Sequence, residues 1–180
     1  LLALKQVIPV DKTGLEIGIG SGIFAEKLNI QYGIDPSEKM LQLAQNRHLT
    51  VTRGVAENLP YNNNSFDFAV FITSLCFIDD PEKALNEAHR VIKKNGDLII
   101  AFIDKDSAFG KSVEQNKSNS HFFRNARLFS ADEISSLMIH CHFEITEIFQ
   151  TLCKNIPETP EIPIKGYGKG GFVVLKGTKK

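Results

Sequence analysis

The sequence predicts an α/β three-layer sandwich, and three features of it carry that expectation. Short apolar runs of strand length alternate with helical stretches from Thr13 to Ile103. A glycine-rich turn, Gly18-x-Gly20-x-Gly22, joins the first of those runs to the helix after it. Beyond Ile103 two further strand runs follow, Phe143 to Leu152 and Phe172 to Gly177, and they fit a hairpin finishing the sheet.

The elements follow in order. Thr13 to Ile17 reads as a buried strand, and Ile23 to Leu28 restarts with helical spacing after the glycines. Ile30 to Ile34 is a second buried strand ending at Asp35, and Pro36-Ser37 opens a helix containing Met40 and Leu41. Leu49 to Arg53 is the third strand, Asn62 to Ser65 a polar turn, and Phe66 to Ile72 the fourth. Asp79-Asp80-Pro81-Glu82 suits a helix N-terminus, and Ala84, Leu85, Ala88, Val91 and Ile92 form an apolar stripe along the helix. Asn95-Gly96 is expected to end it, with the fifth strand at Leu98 to Ile103. Residues 104–130 are the least regular stretch and bear Phe109, His121, Phe122, Phe123, Arg124 and Arg127. A long loop of this kind tends to be functional. Ser130 with Glu133 forms a capping box for a helix carrying Ile134, Leu137 and Met138. Three prolines at 157–163 and the run Gly166 to Gly171, with Tyr167, form the loop before the last strand.

Composition narrows the function. At 180 residues and 42% hydrophobic content, the chain supports one cored domain covering 1–180. Lys and Arg equal Asp and Glu at 21 each, which argues against a phosphate-tracking nucleic-acid binder. No apolar run reaches membrane-spanning length and no signal peptide is visible. Cys76, Cys141 and Cys153 show no C-x-x-C spacing, so a reducing, cytoplasmic setting is expected. No metal site is expected: the adjacent His140-Cys141-His142 lacks a second cluster to close a coordination shell.

A strand-to-helix glycine turn offers bare backbone N–H groups to a ligand. The dinucleotide fingerprint G-x-G-x-x-G would need glycine at 23, where Ile23 stands. The sequence instead has Glu16 two residues before Gly18. This E-x-G-x-G-x-G pattern resembles motif I of the class I S-adenosylmethionine-dependent methyltransferases. Gly54-Val-Ala-Glu-Asn-Leu-Pro-Tyr61 resembles that family's G-D-A-x-x-L-P-F, with Val55 where an acidic residue is usual. Phe66-Asp67 matches its strand-four start, and the stretch from Glu87 to Ile100 resembles its lead into strand five. The resemblance covers roughly residues 10–103 and is nearest the small-molecule branch that includes the ubiquinone/menaquinone methyltransferase type.

The resemblance implies a Rossmann-like, seven-stranded, mostly parallel sheet with an antiparallel last strand. It implies S-adenosylmethionine as cofactor, whose ammonium suits Glu16 and which has no pyrophosphate for that carboxylate to repel. The implied cofactor residues are Glu16, Gly18, Gly20, Gly22, Asp35, Pro36, Met40, Ala56, Glu57, Thr73 and Ser74. Asp35 suits the two ribose hydroxyls and could cap the following helix as well. Met40 and Leu41 fit either an adenine face or the core. The implied partner is a small-molecule methyl acceptor, with residues 104–130 as a substrate cap; Asp104 and His121 are placed by location as base candidates. Residues upstream of Leu1 are expected to roof the site. A binding module without turnover and an NAD-dependent oxidoreductase are the competing readings. The sequence sets neither the acceptor nor the oligomeric state.

Overall fold

The computed structural model describes residues 1–153 and 161–180. Its strands are β1 (Gly14–Ile17), β2 (Tyr32–Asp35), β3 (Thr50–Arg53), β4 (Phe66–Ile72), β5 (Ile92–Ile103), β6 (Phe143–Thr151), β7 (Ile164–Lys165) and β8 (Phe172–Lys179). The helices are α1 (Leu2–Val7), α2 (Ile23–Leu28), α3 (Glu38–Gln45), α4 (Pro81–Val91), α5 (Ala108–Gln115) and α6 (Ala131–His140). One sheet runs β3-β2-β1-β4-β5-β8-β6-β7. The pairs from β3 to β5 are parallel, and β8 is antiparallel to both β5 and β6.

The sheet is buried on both faces, which is why its strands read as continuous apolar runs. Alternation along each strand divides the core in two. Phe66 and Phe71 of β4, Leu98 and Ile100 of β5 and Val173 and Leu175 of β8 pack with α4 and α6. Phe68, Val70 and Ile72, Ile99 and Ala101, and Val174 pack with α1, α2 and α3. Three layers result, as expected.

Three details differ from the expectation. The sheet has eight strands, because Ile164–Lys165 adds a two-residue edge to β6. The expected antiparallel hairpin is the pair β6 and β8, with β8 between β5 and β6. Helix α4 stops at Val91; Ile92 already pairs with Phe66, and Asn95, at φ +62°, sits in the bulge that shifts the register between Phe66 and Phe68. Residues 108–115 are helical: the Ser107 hydroxyl accepts from Gly110 N at 2.9 Å, a cap that composition alone did not single out. The Ser130–Glu133 capping box forms as expected. Of the proline-rich stretch at 157–163, Pro157 and Pro160 lie outside the described residues.

Candidate functional site

Chain order reverses between β1 and β4, and open α/β sheets hold ligands beyond the strand ends at such a switch point. A cleft of about 640 Å³ opens there. Its walls come from the glycine turn, the end of β2, residues 54–57, the end of β4 and one residue of the 116–130 loop.

Hydrogen bonds fix the glycine turn. Gly18 N and Ile19 N both donate to Ile34 O, at 2.8 and 3.0 Å, which joins the turn to β2. Asp35 Oδ2 accepts from Gly20 N at 2.9 Å, and Asp35 Oδ1 accepts from Ser37 N at 2.9 Å. Ser37, and not Asp35, caps α3. Gly18 is left-handed at φ +77°, and a Cβ there would lie 2.4 Å from Ser74 Cβ. Ser74 is drawn that close by its own bond, Oγ to Ile17 O at 2.6 Å. The turn is therefore clasped from both sides.

Glu16 is the unusual group. It is 1% exposed, lines the cleft, and its Oε2 has no hydrogen-bond partner among the described residues. Burial pushes its carboxyl up to about 8; the Asp35 charge adds to this and the Ala25 backbone N–H opposes it. An unpaired buried carboxyl on a residue that lines a cleft is a polar group without its partner.

Ten of the eleven expected cofactor residues line the cleft; Gly22 does not. A Cβ at Gly22 would meet Leu49 Cδ1 at 2.5 Å and Ala44 Cβ at 3.1 Å, so its role is to let α2 abut α3 and the start of β3. The neighbouring pair separates cleanly, with Met40 in the cleft wall and Leu41 in the core. Thr73 stands at φ +51°, a conformation a β-branched residue adopts only under constraint, held by Thr73 N donating to Ala101 O at 2.8 Å.

Asp104 and His121 are not in the cleft lining. Asp104 is buried beside the next turn, where its Oδ1 accepts from Asp106 N at 3.1 Å. His121 is exposed and contacts Arg124 at 2.7 Å. Arg127 lies over the Phe129 ring at 4.9 Å, and Tyr167 donates to Asp132, so neither reaches the cleft. Sequence reasoning gave no site role to Phe24, Phe77, Ile78 and Asp79, reading Asp79 only as part of a helix N-terminus, and it placed Phe122 among the loop aromatics suited to hold an acceptor. Phe77 to Asp79 lie just beyond Thr73 and Ser74 at the end of β4, so the switch-point argument extended five residues past Ser74 would have found them.

Comparison with known proteins fits this geometry. A family profile described as a methyltransferase domain matches residues 15–100. The crystal structure of a SAM-dependent methyltransferase from Thermotoga maritima, described as a possible histamine N-methyltransferase, superposes with a TM-score of 0.93. It is 47% identical, over 99% of this chain and 86% of that one. The chain belongs to the SAM-dependent methyltransferase family. The methyltransferase is also 39% identical to an uncharacterized protein of Methanocaldococcus jannaschii over 178 residues, 98% of this chain and 86% of that protein. A ubiquinone/menaquinone biosynthesis C-methyltransferase of Rickettsia bellii is 32% identical over 120 residues, 57% of this chain and 48% of that enzyme. Among the described residues no helix of the methyltransferase is long and apolar enough to cross a membrane.

Proposed function

We propose that the cleft binds S-adenosylmethionine and directs its methyl group to a small-molecule acceptor. Glu16 carries the reading. Glu16 lines the cleft at the glycine turn with its Oε2 unpaired among the described residues; an ammonium there would supply the missing partner and a pyrophosphate would meet a like charge. In this reading Gly18 and Gly20 lie along the donor's amino-acid end, and Thr73 and Ser74 form the floor. Asp35 takes the ribose hydroxyls: each of its oxygens already accepts one backbone N–H and keeps a further lone pair. Pro36 and Met40 flank the adenine, and Ala56 N–H and Glu57 serve its polar edge. Val55, half-exposed in the cleft wall, offers only apolar contact there.

When bound, the donor supplies an activated methyl on a sulfonium, and the sulfur keeps the bonding pair as the methyl leaves. The chain's own contribution is alignment and exclusion of water. Ile19 and Ile72 are buried beneath the cleft and Phe24 and Ile78 stand at its wall, so one side of the space is apolar. Asp104 and His121 lie outside that space, and the reading gives neither a role as base.

The acceptor is small in this reading, and residues 104–130 form the wall on its side. Phe122 from that segment lines the cleft, which supports the assignment. The description of the Thermotoga maritima relative as a possible histamine N-methyltransferase also supports a small acceptor. Balanced charge and three free cysteines support a cytoplasmic enzyme that does not act on nucleic acid.

The test is calorimetric titration with S-adenosylhomocysteine and, separately, NAD, on the wild type and Asp35→Ala. Micromolar binding of the thioether, weakened at least about tenfold in the variant, is expected, with no NAD signal. NAD binding alone would overturn the proposal. A screen of small acceptors for methyl uptake then separates an enzyme from a module that binds the donor without turnover.

A further inference from the structure

The charge of the cleft says what kind of acceptor enters it. Among the described residues that line it, four are carboxylates, Glu16, Asp35, Glu57 and Asp79, and none is Lys, Arg or His. Three of the four have a place in the donor reading, on which this inference rests. Asp79 has none. It is exposed at the mouth, beyond the end of β4, and makes no hydrogen bond or ion pair to any described side chain. Glu57 Oε1 accepts from the N–H of Asp80 at 3.4 Å, so a second carboxylate stands one residue away from Asp79.

Two aromatic rings share that mouth. Phe77 and Phe122 meet edge to face with centroids 5.1 Å apart, and both line the cleft. They are 41% and 58% exposed, far more than aromatic rings whose only role is core packing. The segment bearing Phe122 is anchored rather than loose. Arg127 N donates to Cys76 O at 2.7 Å, and Phe123 packs on Phe122 at 4.9 Å. The cations of the same segment turn elsewhere, Arg124 to His121 and Arg127 to Phe129. The loop thus presents a ring to the cleft and keeps its positive charges out of it.

We infer that the acceptor is a cation with an apolar body, an organic amine held as its ammonium. Asp79 is its charge anchor, and Phe77 and Phe122 are the surfaces that hold the body. An ammonium beside a carboxylate and over an aromatic face gains from both, whereas a carboxylate-bearing acceptor would meet the like charge of Asp79 with no cation in the lining to offset it. The charge serves as the binding handle, whichever atom of the acceptor takes the methyl.

The experiment uses protein saturated with S-adenosylhomocysteine and three probes of one shape: 2-phenylethylamine, 2-phenylethanol and phenylacetate. Affinities are read by titration followed by NMR. The amine should bind about fivefold to tenfold more tightly than the alcohol, and phenylacetate should not bind measurably, since a partly exposed ion pair and a cation over a ring contribute modestly. Asp79→Asn should bring the amine down to the level of the alcohol without moving the alcohol. Phe122→Ala should weaken both. Equal binding of amine and alcohol, preference for phenylacetate, no amine binding at millimolar concentration, or an unchanged amine advantage in Asp79→Asn each overturns the inference. The S-adenosylhomocysteine affinity is measured first in the same samples. Its absence removes the donor reading and this inference together, while normal donor binding without an amine preference removes this inference alone.

Discussion

Replacing Glu16 with Gln should make the free protein more stable and its cofactor binding weaker, two effects of opposite sign from one atom. In the unfolded chain the carboxyl titrates at its ordinary value of 4.5, and in the fold burial pushes it up to about 8. The folded state therefore favours the neutral form. No stability is lost below the unfolded value, and stability falls as pH rises toward the folded one. At 1.36 kcal/mol per unit, the cost is under ~1 kcal/mol at pH 5, about 3 at pH 7, and levels off near about 5 above pH 8. Gln has no such slope. Glu16→Gln should then melt at nearly the wild-type temperature at pH 5 and about 6–12 °C higher at pH 7. The ammonium of S-adenosylhomocysteine needs the ionised form, so wild-type affinity should rise about tenfold from pH 6 to pH 7, and the variant should lose that rise. Differential scanning calorimetry at the two pH values, with titration of the thioether, reads both effects. A variant that melts below wild type at both pH values and binds S-adenosylhomocysteine normally would refute the reasoning, because Glu16 would then be a structural hydrogen-bonding residue.

Gly18→Ala adds a Cβ 2.4 Å from Ser74 Cβ at a left-handed residue, whereas Gly20→Ala adds one with nothing within 4 Å. Urea unfolding should show a loss of roughly 2–4 kcal/mol for the first and about 1–2 for the second. Adding Ser74→Gly to Gly18→Ala should recover part of the first loss. Burial pushes the Cys76 thiol up to about 11. Alkylation by iodoacetamide at pH 7.5, followed by mass spectrometry, should therefore be at least about tenfold slower at Cys76 than for an unperturbed thiol.

Much of this molecule was legible because its strands are buried on both faces. Phe66 to Ile72 could be read as a strand to the residue, since nothing in it faces water for long. The capping box at Ser130 was legible for a different reason: its two bonds span three residues and need no tertiary partner. Apart from the locally capped helix at 108–115, the misplaced features depend on distant contacts. The Asn95-Gly96 pair carries a helix-ending signal, yet the chain uses it to bulge β5 against β4. Asp104 and His121 lie in the right stretch for the mouth, but the loop turns Phe122 inward and leaves those two outside. Gly22 fits the glycine pattern and spends its missing side chain on Leu49. Sequence periodicity records which face of an element is apolar. It does not record which side of a loop meets a cavity, and Asp79 was passed over for that reason.

The internal position of β8 has a consequence for how the chain is made. Residues 14–103 contain the parallel half of the sheet and most of the cleft wall, and all of them leave the ribosome before Phe172 does. Until β8 arrives, β5 has a bare edge of hydrophobic backbone, and β6 has only the two residues of β7 to pair with. Nascent chains in that interval expose an unpaired strand edge, the feature that most readily recruits other chains or chaperones. The strand that completes the middle of the sheet is the last of the described strands to be synthesised. Slow translation through residues 104–171 should therefore lower the yield of native protein more than slowing anywhere before Ile103.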